Sequence, residues 1–406
     1  MKETKFKDTE IGKIPEEWSI CNFGDIFTFF SNNTLSRDML GERGDMHNVH
    51  YGDVLIKYGS TLDVEKESIP SIKEEYCYKS TNKIEDGDVI IADTAEDETV
   101  GKACEILNVG SKYIVSGLHT IWVRPKGNLF AAKYLGYAMN GATYHNQLLP
   151  LIQGTKVSSI SKAAIKDTCI IVPPINEQHS IASALTSINN LISSLGKLIE
   201  KKKNIKQGAM LQLLTGQIRL KGFSEPWVEK TLGEMFEISA GGDLQKDFFS
   251  ITRDRIHKYP IFSNSLECAG LYGYTSKPRF SRNSITITGR GTLGHAEIRE
   301  IDFDAIIRIL IMVPKLAIEI SVIKDIINFF KPFVSESTGV PQLTVPQVQN
   351  ASISFPKSIA EQRAIATILT KMDNEITALE TKKAKYEAIK QGMMQQLLTG
   401  KIRLIS

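Results

Sequence analysis

The sequence predicts an α+β chain: two globular mixed α/β domains separated by two long helices that pair antiparallel as a coiled coil, built as an internal repeat with pseudo-two-fold character. Three observations carry this expectation. Residues Glu177 to Leu220 return 184 positions later as Glu361 to Leu404, with 23 of 44 pairs identical. In both copies the apolar residues step by three and four. A shorter lead-in also recurs, in which Trp18 is followed by Gly24 and Phe27, and Trp227, at the same spacing, by Gly233 and Phe236.

The helices come first because the repeat is strongest there. Ile181, Leu185, Ile188, Ile192, Leu195 and Ile199 fall on a coiled-coil seam, as do Ile365, Leu369, Met372, Ile376 and Leu379. Both copies open with Glu-Gln, carry Lys-Gln-Gly, and close with Leu-Leu-Thr-Gly-x-Ile-Arg-Leu, whose glycine can supply a left-handed stop. Each helix should run about 35 residues, or roughly 50 Å. That length argues against two amphipathic helices packed into separate cores. Ile199 is answered by Lys383 and Lys202 by Tyr386, so the two unlike seams can specify each other over themselves. If the first helix carries the chain from block one to block two, the second must bring it back. The expected arrangement is therefore antiparallel, with one block at each end of a rod.

The blocks between lead-in and helix share element order but almost no identity. Gly87–Ala92 reads as a strand and Val100–Glu105 as its return; Ser284–Thr288 and Leu293–Glu297 repeat that hairpin, with glycines at its turn. Leu118–Pro125 and Ile306–Pro314 are strands ended by proline. A helix follows in each (Ala131–Leu149, Leu316–Phe330), then a Gly154-Thr155 or Thr338-Gly339 turn, a short strand, and prolines ahead of the Glu-Gln. The expected domains are residues 1–176, helix 177–216, residues 217–357, and helix with tail 358–406.

At 406 residues the chain can hold two or three cores. Ala305–Ile323, its longest apolar run, is broken by Arg308, Pro314, Lys315 and Glu319, so no membrane span is expected. No secretory signal is expected at Met1. The five cysteines are scattered without metal-site spacing, which suits a reduced cytoplasmic chain. Net charge is only +3, and residues 1–176 carry 19 Lys and Arg against 24 Asp and Glu, while residues 357–406 carry 9 against 5. Binding to nucleic acid would thus depend on locally placed cations and not on a general field.

B-DNA has local two-fold axes, so a two-fold rod with a reading head at each end matches it. Each head would read a few base pairs, separated by an unread stretch of about 34 Å. Because the blocks differ, the half-sites should differ.

The lead-in with Trp18 or Trp227, the variable block, and the Glu-Gln helix ending Gln212–Gly216 or Gln396–Gly400 together resemble the specificity subunits of type I restriction-modification systems, over nearly the whole chain. The resemblance implies that the two blocks are target-recognition domains, each reading half of a split double-stranded DNA site. It implies that the helices set the spacer and dock two methyltransferase subunits, which restriction and translocase subunits join. S-adenosylmethionine, ATP and Mg would belong to those partners, with no cofactor, metal or catalytic residue in this chain.

Candidate DNA-binding residues follow from chemistry. In Gly289–His295, glycines would let the backbone approach phosphate while Arg290 and His295 project beside Gly291 and Thr292; Arg to guanine is the commonest base contact. The alternative is a plain hairpin turn. Lys277, Arg279 and Arg282 interleave with Tyr274 and Phe280 as a phosphate clamp, or as a solvated loop. In the first block the matching turn, Asp93–Glu98, is acidic and repels phosphate, which directs attention to Lys57, Tyr58, Lys102 and Lys156. Lys201-Lys202-Lys203 reads as a wetted helix face or a backbone contact, and Gly196 and Gly208 hint at close helix approach or partner docking.

Two other classes compete. A self-contained DNA methyltransferase or nuclease would need an Asp/Asn-Pro-Pro-aromatic motif, which Val172-Pro173-Pro174-Ile175 lacks, or a nucleotide loop, paired carboxylates with lysine, or a histidine cluster, none of which the sequence offers. A coiled-coil adaptor without DNA contact would leave the large variable blocks unexplained.

Overall fold

The computed structural model describes residues 4–80, 82–154, 156–306, 308–333 and 341–405. Thr155, Thr338 and Gly339 of the expected turns and Ile307 of an expected strand lie outside the described residues. The chain divides into two compact units, residues 1–196 with 382–406 and residues 197–381. Each long helix contributes to both.

The helices are Ile175–Leu214, 40 residues, and Ile359–Leu397, 39 residues. Their seams are buried where the spacing puts them: Ile181, Leu185, Leu195 and Ile199 in the first, Ile365, Leu369 and Ile376 in the second. The pairing is antiparallel within each unit. In the first unit Ile181 and Leu185, near the start of one helix, pack in one core with Met394 and Leu397, near the end of the other. In the second unit Leu213 and Leu214 share a core with Ile365 and Leu369.

The repeated words are explained by contacts that cross the repeat. Each Gly that follows a helix, Gly216 and Gly400, has φ +69°. Two residues on, the N–H of Ile218 or Ile402 returns to the carbonyl of Gln212 or Gln396 at 3.1 Å, closing the helix end as a left-handed glycine permits. This turn delivers the following arginine to the start of the other helix: Arg403 donates to Glu177 and Arg219 to Glu361, both in pairs of hydrogen bonds. The buried glutamine beside each glutamate ties the helix start to its block. Gln178 accepts from Ala131 N–H and donates to the Pro173 carbonyl; Gln362 accepts from Glu319 N–H and donates to the Pro356 carbonyl. Such buried amides persist because both ends are satisfied.

The lead-in is built the same way twice. Ser19–Asn22 pairs antiparallel with Cys169–Val172, and Trp227–Thr231 with Ser352–Pro356. A single helical turn follows, Phe23–Ile26 or Leu232–Met235, capped by Asn22 or Thr231. A Cβ on Gly24 would meet the Lys166 carbonyl at 3.3 Å, and one on Gly233 the Gln349 carbonyl at 3.1 Å, so the recurring glycine reflects tight packing against the short helix that precedes each unit's last strand, Lys162–Lys166 or Val345–Gln349. Phe27 and Phe236 then open the central sheets, fully buried.

Those sheets correspond. The first unit orders its strands Phe27–Phe30, Thr120–Pro125, Val89–Ala92, Ala103–Leu107, with Thr61–Asp63 added in parallel at the edge. The second orders Phe236–Ala240, Leu310–Pro314, Ser284–Ile287, Ala296–Arg299. Each unit carries a second four-stranded sheet. The expected hairpins are present as antiparallel pairs. The expected helix Ala131–Leu149 is instead two short helices, Tyr134–Ala138 and Ala142–Leu148, meeting where Gly141 packs against Leu398. The second proline-ended strand is shorter than expected and begins at Leu310, because Arg308 has a left-handed backbone.

Among the described residues no helix is long and apolar enough to cross a membrane.

Candidate nucleic-acid interface

Three of the basic residues in Lys201–Lys206 are engaged within the second unit. Lys202 pairs with Glu375, Lys203 with Glu380 and Lys206 with Asp373, at 2.5–2.7 Å. This run links the two helices. The glycine expectation also changes: Gly196 has only the flexible Lys383 side chain near it, and a Cβ on Gly208 would enter open space.

In the second unit the Gly289–His295 turn joins Ser284–Ile287 to Ala296–Arg299. Gly291 and Gly294 have φ +70° and +75°, and a Cβ on Gly294 would sit 2.7 Å from the Phe333 ring, so the turn needs glycine. Gly291 and Thr292 are exposed at its tip. His295 Nε2 lies 2.9 Å from Glu297, which occupies the imidazole. Arg290 donates through Nε and Nη2 to Gln342 Oε1 at 3.2 and 3.1 Å. Arg308 reaches the same oxygen at 2.8 Å. The structure thus brings Arg290 together with Arg308, a residue that sequence reasoning missed because it lies within an apolar run that reads as strand.

The clamp segment separates into three situations. Lys277 is exposed, with its ammonium 5.3 Å from the Phe248 ring. Arg279 is bound to buried Asp304 at 2.6 Å and to the Ala305 and Asp243 carbonyls, so its guanidinium helps to hold the fold. Arg282 is exposed, and among the described residues no hydrogen bond or ion pair engages its guanidinium. Nearby, Arg299 was also missed. It is buried, stacked 3.6 Å over Phe262 and bonded to Thr286 Oγ1 at 2.9 Å, and burial pushes it down to about 10.

The first unit offers less from the sequence-derived set. Tyr58 is a core side chain, 1% exposed, with its hydroxyl on the Ser68 carbonyl; it cannot meet DNA, because the helix Tyr51–Ile56 turns it inward. Lys57 Nζ donates to that same carbonyl. Lys102 is half-buried on the Leu55 carbonyl at 2.7 Å, and burial, with Lys390 nearby, lowers its pKa. Its ammonium is therefore committed. Lys156 is exposed.

What the first unit does assemble is a cluster around His119, whose φ is +54°. Its Nδ1 lies 3.3 Å from Thr94 Oγ1 and 3.3 Å from Asp93 Oδ1, and its ring meets Tyr51 edge-on at 5.3 Å. Arg37, on buried Asp53, has a side chain 59% exposed. Among the described residues no group of three or more His, Cys, Asp or Glu could hold a metal ion.

Comparison with known proteins places this arrangement. The chain is 27% identical over 429 residues to a Methanocaldococcus jannaschii protein named as the MjaX type I restriction enzyme specificity subunit, covering 99% of this chain and 98% of the relative. It is 24% identical over 449 residues to the MjaVIII specificity subunit of the same organism, covering 99% and 97%. Its fold is like that of a type I restriction-modification S subunit from M. genitalium, with TM-score 0.59 and 15% identity over 94% of this chain and 96% of that one. A chain solved in work on assembly and conformational transition of the type I R-M system gives TM-score 0.56 and 15% identity over 96% and 99%. The family described as type I restriction modification DNA specificity domain matches twice, at residues 15–207 and 224–391. Two matches, one on each copy of the repeat and together spanning most of the sequence, establish that this chain belongs to the type I restriction modification DNA specificity domain family.

Proposed function

We propose that this chain is the DNA-reading subunit of a type I restriction-modification complex, in which each globular unit reads one half of a split double-stranded site. The observation that carries this reading is the pairing of like frameworks with unlike tips. The units share sheet order, lead-in and helix clasp, yet one presents His119, Asp93 and Thr94 where the other presents Arg308 and Arg290. Base edges are read by such side chains, so unlike tips select unlike half-sites. The long helices set the interval between half-sites and dock two methyltransferase subunits, with restriction and translocase subunits joining that core.

The chain itself is a specificity component and not an enzyme. S-adenosylmethionine, ATP and Mg serve the partner subunits, and the complex works in the cytoplasm.

Selection of bound duplexes from a random library, by the full chain assembled with its methyltransferase subunit, tests the reading. A split motif with two unlike halves and a fixed gap is expected. A single continuous motif, or methylation by this chain alone, would overturn it.

A further inference from the structure

His119 and Arg308 occupy the same place in the two copies. Each lies six residues before the proline that ends a central strand, Pro125 or Pro314. Each has a left-handed backbone, φ +54° and +64°, which costs free energy for a residue with a Cβ and persists only where the surroundings enforce it. The residue facing each tip also corresponds, although the hydrogen bonds differ, because Gly289 N–H donates to Asn264 Oδ1 at 2.7 Å. The His119 carbonyl accepts from Asp93 N–H at 3.1 Å, and the Arg308 carbonyl lies so close to Gly289 that a Cβ there would sit 2.4 Å away. Asp93 directly follows the neighbouring strand Val89–Ala92, and Gly289 lies two residues past Ser284–Ile287. The two frameworks thus hold one tip residue in the same unusual conformation and differ in which side chain it carries.

The chemistry at the second tip is specific. Arg290 and Arg308 share Gln342 Oε1, and among the described residues neither guanidinium meets a carboxylate. One neutral amide oxygen orients two cations without neutralising them. Their remaining N–H groups form planar forks of the kind that match O6 and N7 of guanine in the major groove.

We infer that this left-handed tip position is a base-reading position in both units, and that Arg308, with Arg290 beside it, selects guanine in the half-site of the second unit. His119, a single ring with one donor or acceptor turned toward Asp93 and Thr94, reads a different base in the other half. This rests on the proposed DNA-reading function and names the residues and the base class that it leaves open.

The experiment repeats the random-library selection with the full chain assembled with its methyltransferase subunit, comparing wild type with Arg308→Ala, Arg308→Lys and His119→Ala. Wild type should give a split motif with guanine in one half. Arg308→Ala should lower the preference for that guanine by about tenfold and leave the other half unchanged. Arg308→Lys, which keeps the charge but loses the fork, should retain affinity for unselected DNA and lose most of the same preference. His119→Ala should alter only the half that Arg308 does not. An unchanged motif with uniformly weaker binding would make Arg308 a phosphate contact and overturn the inference, as would an unchanged motif at full affinity. A wild-type chain that selects no split motif would instead overturn the proposed function. Thermal denaturation of each variant beside wild type separates lost reading from lost folding, and Arg308→Lys carries the test if Arg308→Ala melts early.

Discussion

Arg403 holds Glu177 across 226 positions of sequence, with Nε 2.6 Å from Oε1 and Nη2 2.8 Å from Oε2. Both side chains are nearly sealed, 8% and 1% exposed, and the guanidinium also stacks over Trp18. Removing Arg403 leaves the buried Glu177 carboxylate without its charge partner and, among the described residues, held only by the Trp18 indole N–H. Arg403→Ala should therefore destabilise the first unit by about 3 kcal/mol. Urea denaturation, followed by proteolysis of residues 1–196 against 197–381, should show the loss confined to the first unit.

The equivalent tryptophans should differ. Trp18 donates its indole N–H to Glu177 at 2.9 Å, whereas the buried Trp227 Nε1 has no partner among the described residues. Trp18→Phe loses a charge-assisted hydrogen bond and should cost about 2 kcal/mol, beyond any change in packing. Trp227→Phe removes an unsatisfied donor and should cost the second unit less. Paired thermal melts would check the order.

Glu105 makes stability depend on pH. Burial pushes its carboxyl up to about 7 from 4.5, against the pull of the Gly136 and Lys133 N–H groups. Between those values the folded chain holds a proton that the unfolded chain has released, so stability falls as pH rises through this window. The full effect is about 3 kcal/mol. Melting temperature of wild type relative to Glu105→Gln, followed from pH 4.5 to 7.5, should decline with rising pH. A flat difference would refute the assignment.

The lysine ladder is a stabilising device. Replacing Lys202, Lys203 and Lys206 together by Ala should lower the melting temperature modestly, on the order of 0.5 kcal/mol per pair and less at high salt. DNA affinity, measured by gel shift with the assembled complex, should stay within about twofold, since a loss of three phosphate contacts would be far larger and salt-dependent.

Much of the framework could be read from residue spacing, because a seam at three- and four-residue steps and a recurring glycine each follow from one local geometry. Leu185, Ile199 and Leu369 are buried as their spacing requires. The site was harder to read. Tyr58 beside Lys57 looks like a surface pair in one dimension, and only the fold of the Tyr51–Ile56 helix onto the sheet turns the ring inward. Arg279 looks like one of several loop cations until Asp304, on a distant strand, is seen beneath it. Arg308 sits amid isoleucines, and nothing in a non-glycine residue announces a left-handed backbone. Side-chain direction depends on long-range contacts that periodicity does not encode, so the scaffold was visible and its tips were not.

Because residues 382–406 complete the first unit, synthesis order and folding order cannot coincide. A ribosome that has delivered residues 1–381 has supplied every part of the second unit, while the lobe begun at the amino terminus still waits for the strand of chain that carries Arg403. A late nonsense mutation would therefore cripple the half of the molecule that was translated first.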